Sequence, residues 1–190
     1  MCGGSLGGKA RGLAFAKDMI VQSGINDNYE NIVIKIPRTA IIGTEEFDRF
    51  MKDNNLWDDA LKVESNDKLE EMFLKSRLSM DITLKVEAFL KKCKKPLAVR
   101  SSSLLEDSQY QALSGAYSTF MLSNDQEIFR DRINEVTNAI KLVFASIFFQ
   151  ESKSHFSHTA HRTEEEKMAV ILMEIAGKKY SSGRFYPTFS

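Results

Sequence analysis

The sequence predicts a single mixed domain, of the α/β or α+β class, on three observations. Its 190 residues suit one domain, or one domain plus a fragment, and are enough to bury a real core. Hydrophobic residues make up 43% and charged residues 27%, proportions that exclude a disordered tail, a collagen or a disulfide-dense mini-protein. Short alternating or apolar runs are separated by stretches of helical spacing at uneven lengths, which is the pattern of strands and helices combined in one fold. The 26 basic and 26 acidic residues cancel, so no global field favours nucleic acid or an anionic membrane. Any bound anion must be held by a local arrangement.

The chain opens with Gly3, Gly4, Gly7, Gly8 and Gly12, with Lys9 and Arg11 between them. Leu13, Ala16, Ile20 and Val21 then recur at helical spacing, and Gly24 is a stop signal. Residues 31–37 alternate Ile32, Ile34 and Ile36 with polar neighbours up to Pro37, which predicts a half-buried strand. Thr44 reads as a helix N-cap, followed by Glu45 and Glu46 and by Phe47, Phe50 and Met51 on one face. Residues 54–95 are helical and charged. Asn66 or Asp67 caps one helix carrying Leu69, Met72, Phe73 and Leu78, and a second runs from about Met80 to Cys93 through Ile82, Val86, Phe89 and Leu90.

Residues 96–100 read as a short buried strand, Ser101 to Gly115 as a polar loop, and 116–122 as another strand. A helix is predicted from Asn124, with Glu127 in capping-box position, through Ile128, Ile133, Val136, Ile140, Val143, Phe144 and Ile147. A polar, histidine-containing patch (152–167) leads to a strand at 168–175, and strand-like text resumes near Gly183 and runs to Ser190. That abrupt end leads us to expect an excised piece.

Cys2 and Cys93 lie far apart without metal-ligand spacing, which favours a reduced, intracellular protein over one with a structural disulfide. Glycines stand where a leader would need a basic and then an apolar stretch, and no apolar run approaches the ~18 residues of a membrane span. A soluble, cytoplasmic protein without nucleic-acid or membrane partners is the expectation.

Four features invite a chemical reading. Gly3, Gly8 and Lys9 satisfy G-x-x-x-x-G-K, but Ala10 replaces the magnesium-binding Ser or Thr and no hydrophobic strand precedes the motif, so a P-loop fails. Small residues, Lys9 and a following helix N-terminus still suit an anion; a loose chain end is the plain alternative. Arg100, at the tip of a buried strand before Ser101, Ser102 and Ser103, aims a rigid guanidinium fork at something anionic, or pairs with Glu106 or Asp107. Gly115, before Tyr117, Ser118 and Thr119, suits a loop closing over a ligand or a simple turn. The 91–95 run (KKCKK) and the triplet His155, His158 and His161 read as a solvated helix end and a solvated connector rather than as a phosphate patch and a metal site. No metal site is assigned.

GGKARGL at 7–13, IPRTAIIGTEEFDRFM at 36–51, LAVRSSSLLEDS at 97–108, SGAYSTF at 114–120 and EKMAVILMEIAG at 166–177 stand in order along the chain. Together with Ala145 to Phe148 and Arg162, they resemble the N-terminal nucleotide-binding domain of the pyruvate phosphate dikinase and phosphoenolpyruvate synthase family. The resemblance implies an α+β, ATP-grasp-like N-terminal lobe over residues 1–190: a mixed sheet with flanking helices, a helical insertion at about 54–95, and the start of the hinge and an incomplete second lobe at 168–190. It implies that Lys9 and Arg100 contact the phosphates of ATP and act in catalysis. Ser101, Gly115 and Thr119 would line the lid, and Glu174 and Ile175 would form the adenine-reading hinge. Many family members carry glutamine at the position of Met173. The implied activity is phosphoryl transfer from ATP through a phosphohistidine carrier domain to pyruvate or another acceptor. Mg²⁺ ligands, the carrier and the acceptor domain are expected outside this chain, which alone would be inactive. A non-catalytic, regulatory nucleotide-binding module is the alternative, and a plain α+β interaction domain a third.

Overall fold

The computed structural model describes residues 1–103, 117–157, 166–181 and 185–187. Helix α1 (Gly7–Gln22) starts inside the glycine segment and stops before Gly24, which takes the left-handed φ of 59°. Strand β1 (Thr39–Ile42) lies beyond the predicted strand at 31–37. The reason is visible at Asn26, whose side chain donates to the Ile34 carbonyl at 3.0 Å and accepts from the Ile34 N–H at 2.7 Å. Both Ile34 backbone groups are satisfied without a neighbouring strand, and Ile32 and Val33 are exposed.

Helix α2 (Thr44–Asp53) buries Phe47, Phe50 and Met51, as the spacing predicts. Residues 54–95 form α3 (Trp57–Lys62), α4 (Asn66–Lys75) and α5 (Met80–Lys92). The Ser65 hydroxyl accepts from the Lys68 N–H, so α4 is capped one residue before Asn66, and Ser79 does the same for α5 by accepting from Ile82. Strand β2 (Leu97–Ser102) extends two residues into the predicted loop, and β3 (Thr119–Leu122) follows.

Helix α6 (Phe129–Ala145) begins five residues after Asn124, which is no cap. Asn124 takes a φ of 55°, donates to the carbonyls of Cys93 and Lys95 at 3.2 and 2.8 Å, and accepts from Arg132 Nε at 2.9 Å. Its amide is committed to the open carbonyls after α5, which no helical N–H can reach. A 3₁₀ turn (Ser146–Phe148), helix α7 (Gln150–Ser157) and strand β4 (Ala169–Glu174) complete the layer, and β5 (Gly177–Lys179) pairs with β6 (Phe185–Pro187) in a separate two-stranded sheet.

The main sheet has the order β1-β4-β2-β3. The sheet expected to be mixed is antiparallel at each of these pairings. One face packs on helices: Leu97, Val99, Val170 and Leu172 join Phe47, Phe50, Leu69, Phe73, Ile82, Val86, Ile140 and Phe144 in one core. Phe144 stacks edge-on against Phe47 at 5.3 Å and is tilted against Phe50 at 5.5 Å, contacts that add to the burial itself. The helices of 54–95 thus share the sheet's core. Among the described residues no helix is long and apolar enough to cross a membrane.

Candidate functional site

Alternation along the strands sorts the remaining side chains onto the other face of the sheet. One row across it reads Ile41, Ile171, Arg100 and Thr119, and the next reads Thr39, Met173, Ala98 and Met121. Arg100 is half-buried, and its guanidinium makes no hydrogen bond or ion pair to another described residue. Thr119 is exposed directly across from it on β3. Ser101, one residue on, is 1% exposed and shares the core-side face with Leu97 and Val99, so its hydroxyl lies away from Arg100.

The glycine segment is tied down rather than loose. Thr44 N–H donates to the Ser5 carbonyl at 3.0 Å, Ser5 N–H to Thr44 Oγ1 at 2.9 Å, and Cys2 Sγ to the Gly43 carbonyl at 3.3 Å. The first turn of α1 then sits on the end of β2. Ser102 Oγ donates to the Leu6 carbonyl at 2.8 Å and accepts from Ala10 N–H at 3.1 Å, while Gly8 N–H donates to the Ser103 carbonyl at 2.9 Å. Gly7 N–H reaches Ser5 Oγ at 3.4 Å. Three amides that would greet an anion at this helix N-terminus are therefore spent on the protein. The glycines serve close packing, and they dock the first turn of α1, which carries Lys9, on the end of β2.

About 10 Å along the sheet from Arg100, at three residues of strand rise, lie Glu174, in register with Leu97 on the opposite face, and Ile175. Glu174 N–H donates to the Arg38 carbonyl at 2.9 Å, and Ile175 N–H to the Pro96 carbonyl at 2.8 Å. The Arg38 guanidinium stands 4.0 Å from the Glu174 carboxylate and also donates to the Lys92 carbonyl. Cys93 is buried beside them, and burial, with Glu174 next, pushes its thiol up to about 12. Both cysteines are free. Beside this end a cavity of about 550 Å³ opens between α1 and the 34–41 segment, walled by Leu13, Ile20, Ile34, Ile36 and Ile41. That volume is within the range of small-molecule sites.

The structure sets Arg100 and Thr119 side by side on one sheet face, docks the turn of α1 that carries Lys9 on the end of β2, and puts Glu174, like Ser101, in register on the opposite face, with Ile175 following it. Gly115, Glu106, Asp107, His158, His161 and Arg162 lie outside the described residues, as does the side chain of His155. Ser102, Arg38 and the cavity were not anticipated. Ser102 stood among three serines with nothing to set it apart, and Arg38 acts through contacts with residues remote in sequence. Among the described residues no three His, Cys, Asp or Glu side chains converge on a metal-sized site. Mg²⁺ has no ligand set among them.

In this α+β domain the Arg100 guanidinium lies beside the exposed Thr119 without a partner among the described residues, chemistry that suits an anion. The family model described as the pyruvate phosphate dikinase AMP/ATP-binding domain matches residues 4–186, and the chain belongs to that family. No curated protein matches it. This is a nucleotide-binding domain of the dikinase type.

Proposed function

We propose that ATP lies along the Arg100 side of the sheet, with its phosphates at Arg100, Lys9 and Thr119 and its base at the hinge formed by Glu174 and Ile175. The observation that carries this is Arg100: a charged fork on a strand of fixed backbone, opposite Thr119, with no partner among the described residues. Phosphoryl transfer asks for positioning and charge neutralisation more than for covalent groups, and a lysine and an arginine supply both. In the same reading Gly115 belongs to a loop over the phosphates, with any contribution from Ser101 coming from its backbone. Carrier and acceptor domains elsewhere in the protein would pass the phosphoryl group through a phosphohistidine to pyruvate or another acceptor. The two free thiols support a reducing, cytoplasmic setting.

A single sheet face leaves the nucleotide open to water, so binding should be about millimolar, roughly 4 kcal/mol. Chemical-shift titration with ATP tests the site: perturbations should map to Lys9, Arg100, Thr119 and residues 173–175, and Arg100→Ala should abolish them. Binding that survives Arg100→Ala unchanged overturns the proposal.

A further inference from the structure

The last carbonyls of a helix find no N–H within their own helix, and α3, α4 and α5 each have that end closed by a cation from later in the chain. Lys141 of α6 donates to the Leu74 carbonyl of α4 at 3.0 Å. Arg132 of α6 donates to the Leu90 and Cys93 carbonyls at the end of α5 at 3.2 and 2.7 Å. For α3 the cation comes from α7: Lys153 Nζ donates to the carbonyls of Ala60, Leu61 and Val63 at 3.1, 3.2 and 2.7 Å. Gln150, at the start of α7, adds a side-chain bond to the Glu64 carbonyl at 2.6 Å and an N–H bond to Asn66 Oδ1 at 3.0 Å. Helix α7 thus lies as a strap across the joint between α3 and α4.

The three closures differ in what backs them. Helix α6 buries Val136, Ile140, Val143 and Phe144, so the core fixes Arg132 and Lys141. Helix α7 has eight residues, of which Ser152 is buried while Glu151 and Ser154 are exposed. Helix α3 has six residues and Leu56 at its N-cap, with no side-chain cap. It is far below the ~12–15 residues at which an isolated helix becomes marginal, so docking must hold it. Ala60 and the Trp57 ring face inward, the ring meeting Phe47 and Phe148 edge-on at 5.8 and 6.0 Å. Burial pulls the Lys153 pKa below the ordinary lysine value, and Glu64 offsets part of this. Closing the strap therefore costs the ammonium some of its water, which opening returns.

We infer that α7 is a releasable strap with Lys153 as its fastening: with the ammonium on the three carbonyls residues 57–63 stay docked, and without it they open as a unit while the sheet and α4 to α6 stay folded. Opening uncovers the faces of Phe47 and Phe148 that Trp57 covers. This device is independent of the nucleotide reading above.

Trp57 is the chain's single tryptophan, so its emission and its quenching by acrylamide report on α3. In Lys153→Ala, amide exchange at residues 60–63 should rise about tenfold, the worth of one charge-assisted hydrogen bond. Trp57 should become quenchable, with the amides of β2, β4 and α6 unchanged. Propylammonium chloride replaces the missing atoms and their N–H donors and should restore both readings. Choline chloride, a cation without N–H, should restore neither. Unchanged exchange at residues 60–63, an equal rise in β2 and β4, or rescue that does not favour propylammonium overturns the inference. Should Lys153→Ala not fold, the original chain in urea below its unfolding transition decides. Residues 60–63 should then exchange before β2 and β4, and exchange in step with them overturns the strap.

Discussion

Gly7 lies so close to Ser102 that a β-carbon on Gly7 would fall 1.9 Å from the Ser102 carbonyl oxygen. The backbone there also has a φ of +73°. Two parts of the chain that each read as anion-binding in isolation are thus locked together by contact, and the lock sets where Lys9 stands relative to Arg100.

Gly7→Ala should therefore undock the first turn of α1. A left-handed non-glycine residue costs about 1–3 kcal/mol, and here the new methyl meets backbone, which cannot swing away. Gly12→Ala is the control, since nothing lies within 4 Å of its added β-carbon. It should stabilise the helix by about 0.5–1 kcal/mol. Urea unfolding and amide exchange across α1 measure both; equal effects of the two substitutions would refute the docking argument.

Ser102→Ala removes a buried hydroxyl that serves two backbone groups, the Leu6 carbonyl and the Ala10 N–H. Leaving both unsatisfied should cost about 1–3 kcal/mol and loosen α1 selectively. Ser76→Ala, at the end of α4, removes only a bond to the Met72 carbonyl and should cost less. Exchange protection in α1 that is identical in Ser102→Ala and the original chain would contradict this.

Arg100→Lys should weaken tripolyphosphate binding nearly as much as Arg100→Ala, by about 1.5–3 kcal/mol for a charge-assisted bond. The guanidinium grips two oxygens at once, whereas an ammonium is a point charge. Lys9→Arg should be tolerated better, because a lysine on a helix end has no fixed fork geometry to lose. Affinities from titration, with melting temperatures as the folding control, decide the ranking.

Glu46 is wholly buried, and its carboxylate accepts from Ser79 N–H at 3.2 Å and Ser79 Oγ at 3.0 Å. Burial raises its pKa above the ordinary 4.5, and the Ser79 bonds and Arg49 only partly offset that. The folded chain then holds this proton more tightly than the unfolded one. The stability from this group is full below about pH 4.5 and is lost as pH rises through the folded value. Glu46→Gln should flatten that decline in urea midpoints measured from acidic to neutral pH; an unchanged slope would show that other groups cause it.

Cys93 has no exposed surface, and its thiol is pushed up to about 12, so little thiolate forms at neutral pH. Iodoacetamide should label the half-buried Cys2 first, and Cys93 only after unfolding. Mass spectrometry of the folded chain reads this directly, and early labelling of Cys93 would mean that the α5 end opens in solution.

The local content of the chain was legible without its structure. Helical spacing identified Phe47, Phe50, Phe73, Ile82, Val86 and Val143 as core, and all are buried to within 1%, because an apolar stripe of period 3.6 must face an interior wherever its helix docks. The short runs at 96–100 and 168–175 were recognisable as strands, which form at Leu97–Ser102 and Ala169–Glu174, since both faces of a central strand have neighbours. What depends on remote partners was not legible. Residues 31–37 alternate as a strand should, yet Asn26 satisfies Ile34 and the strand forms two residues later. Asn124 has the spacing of a capping box, yet the carbonyls after α5 claim its side chain. The sequence by itself determined which residues carry charge at the candidate site: Lys9 and Arg100. Only the tertiary structure decided that Arg100 faces Thr119 while Ser101 turns away, and that Ser102 anchors α1. Side-chain periodicity is written in adjacent residues, but strand register and the contact of Ala10 with Ser102, 92 residues apart, arise only when the backbone closes on itself.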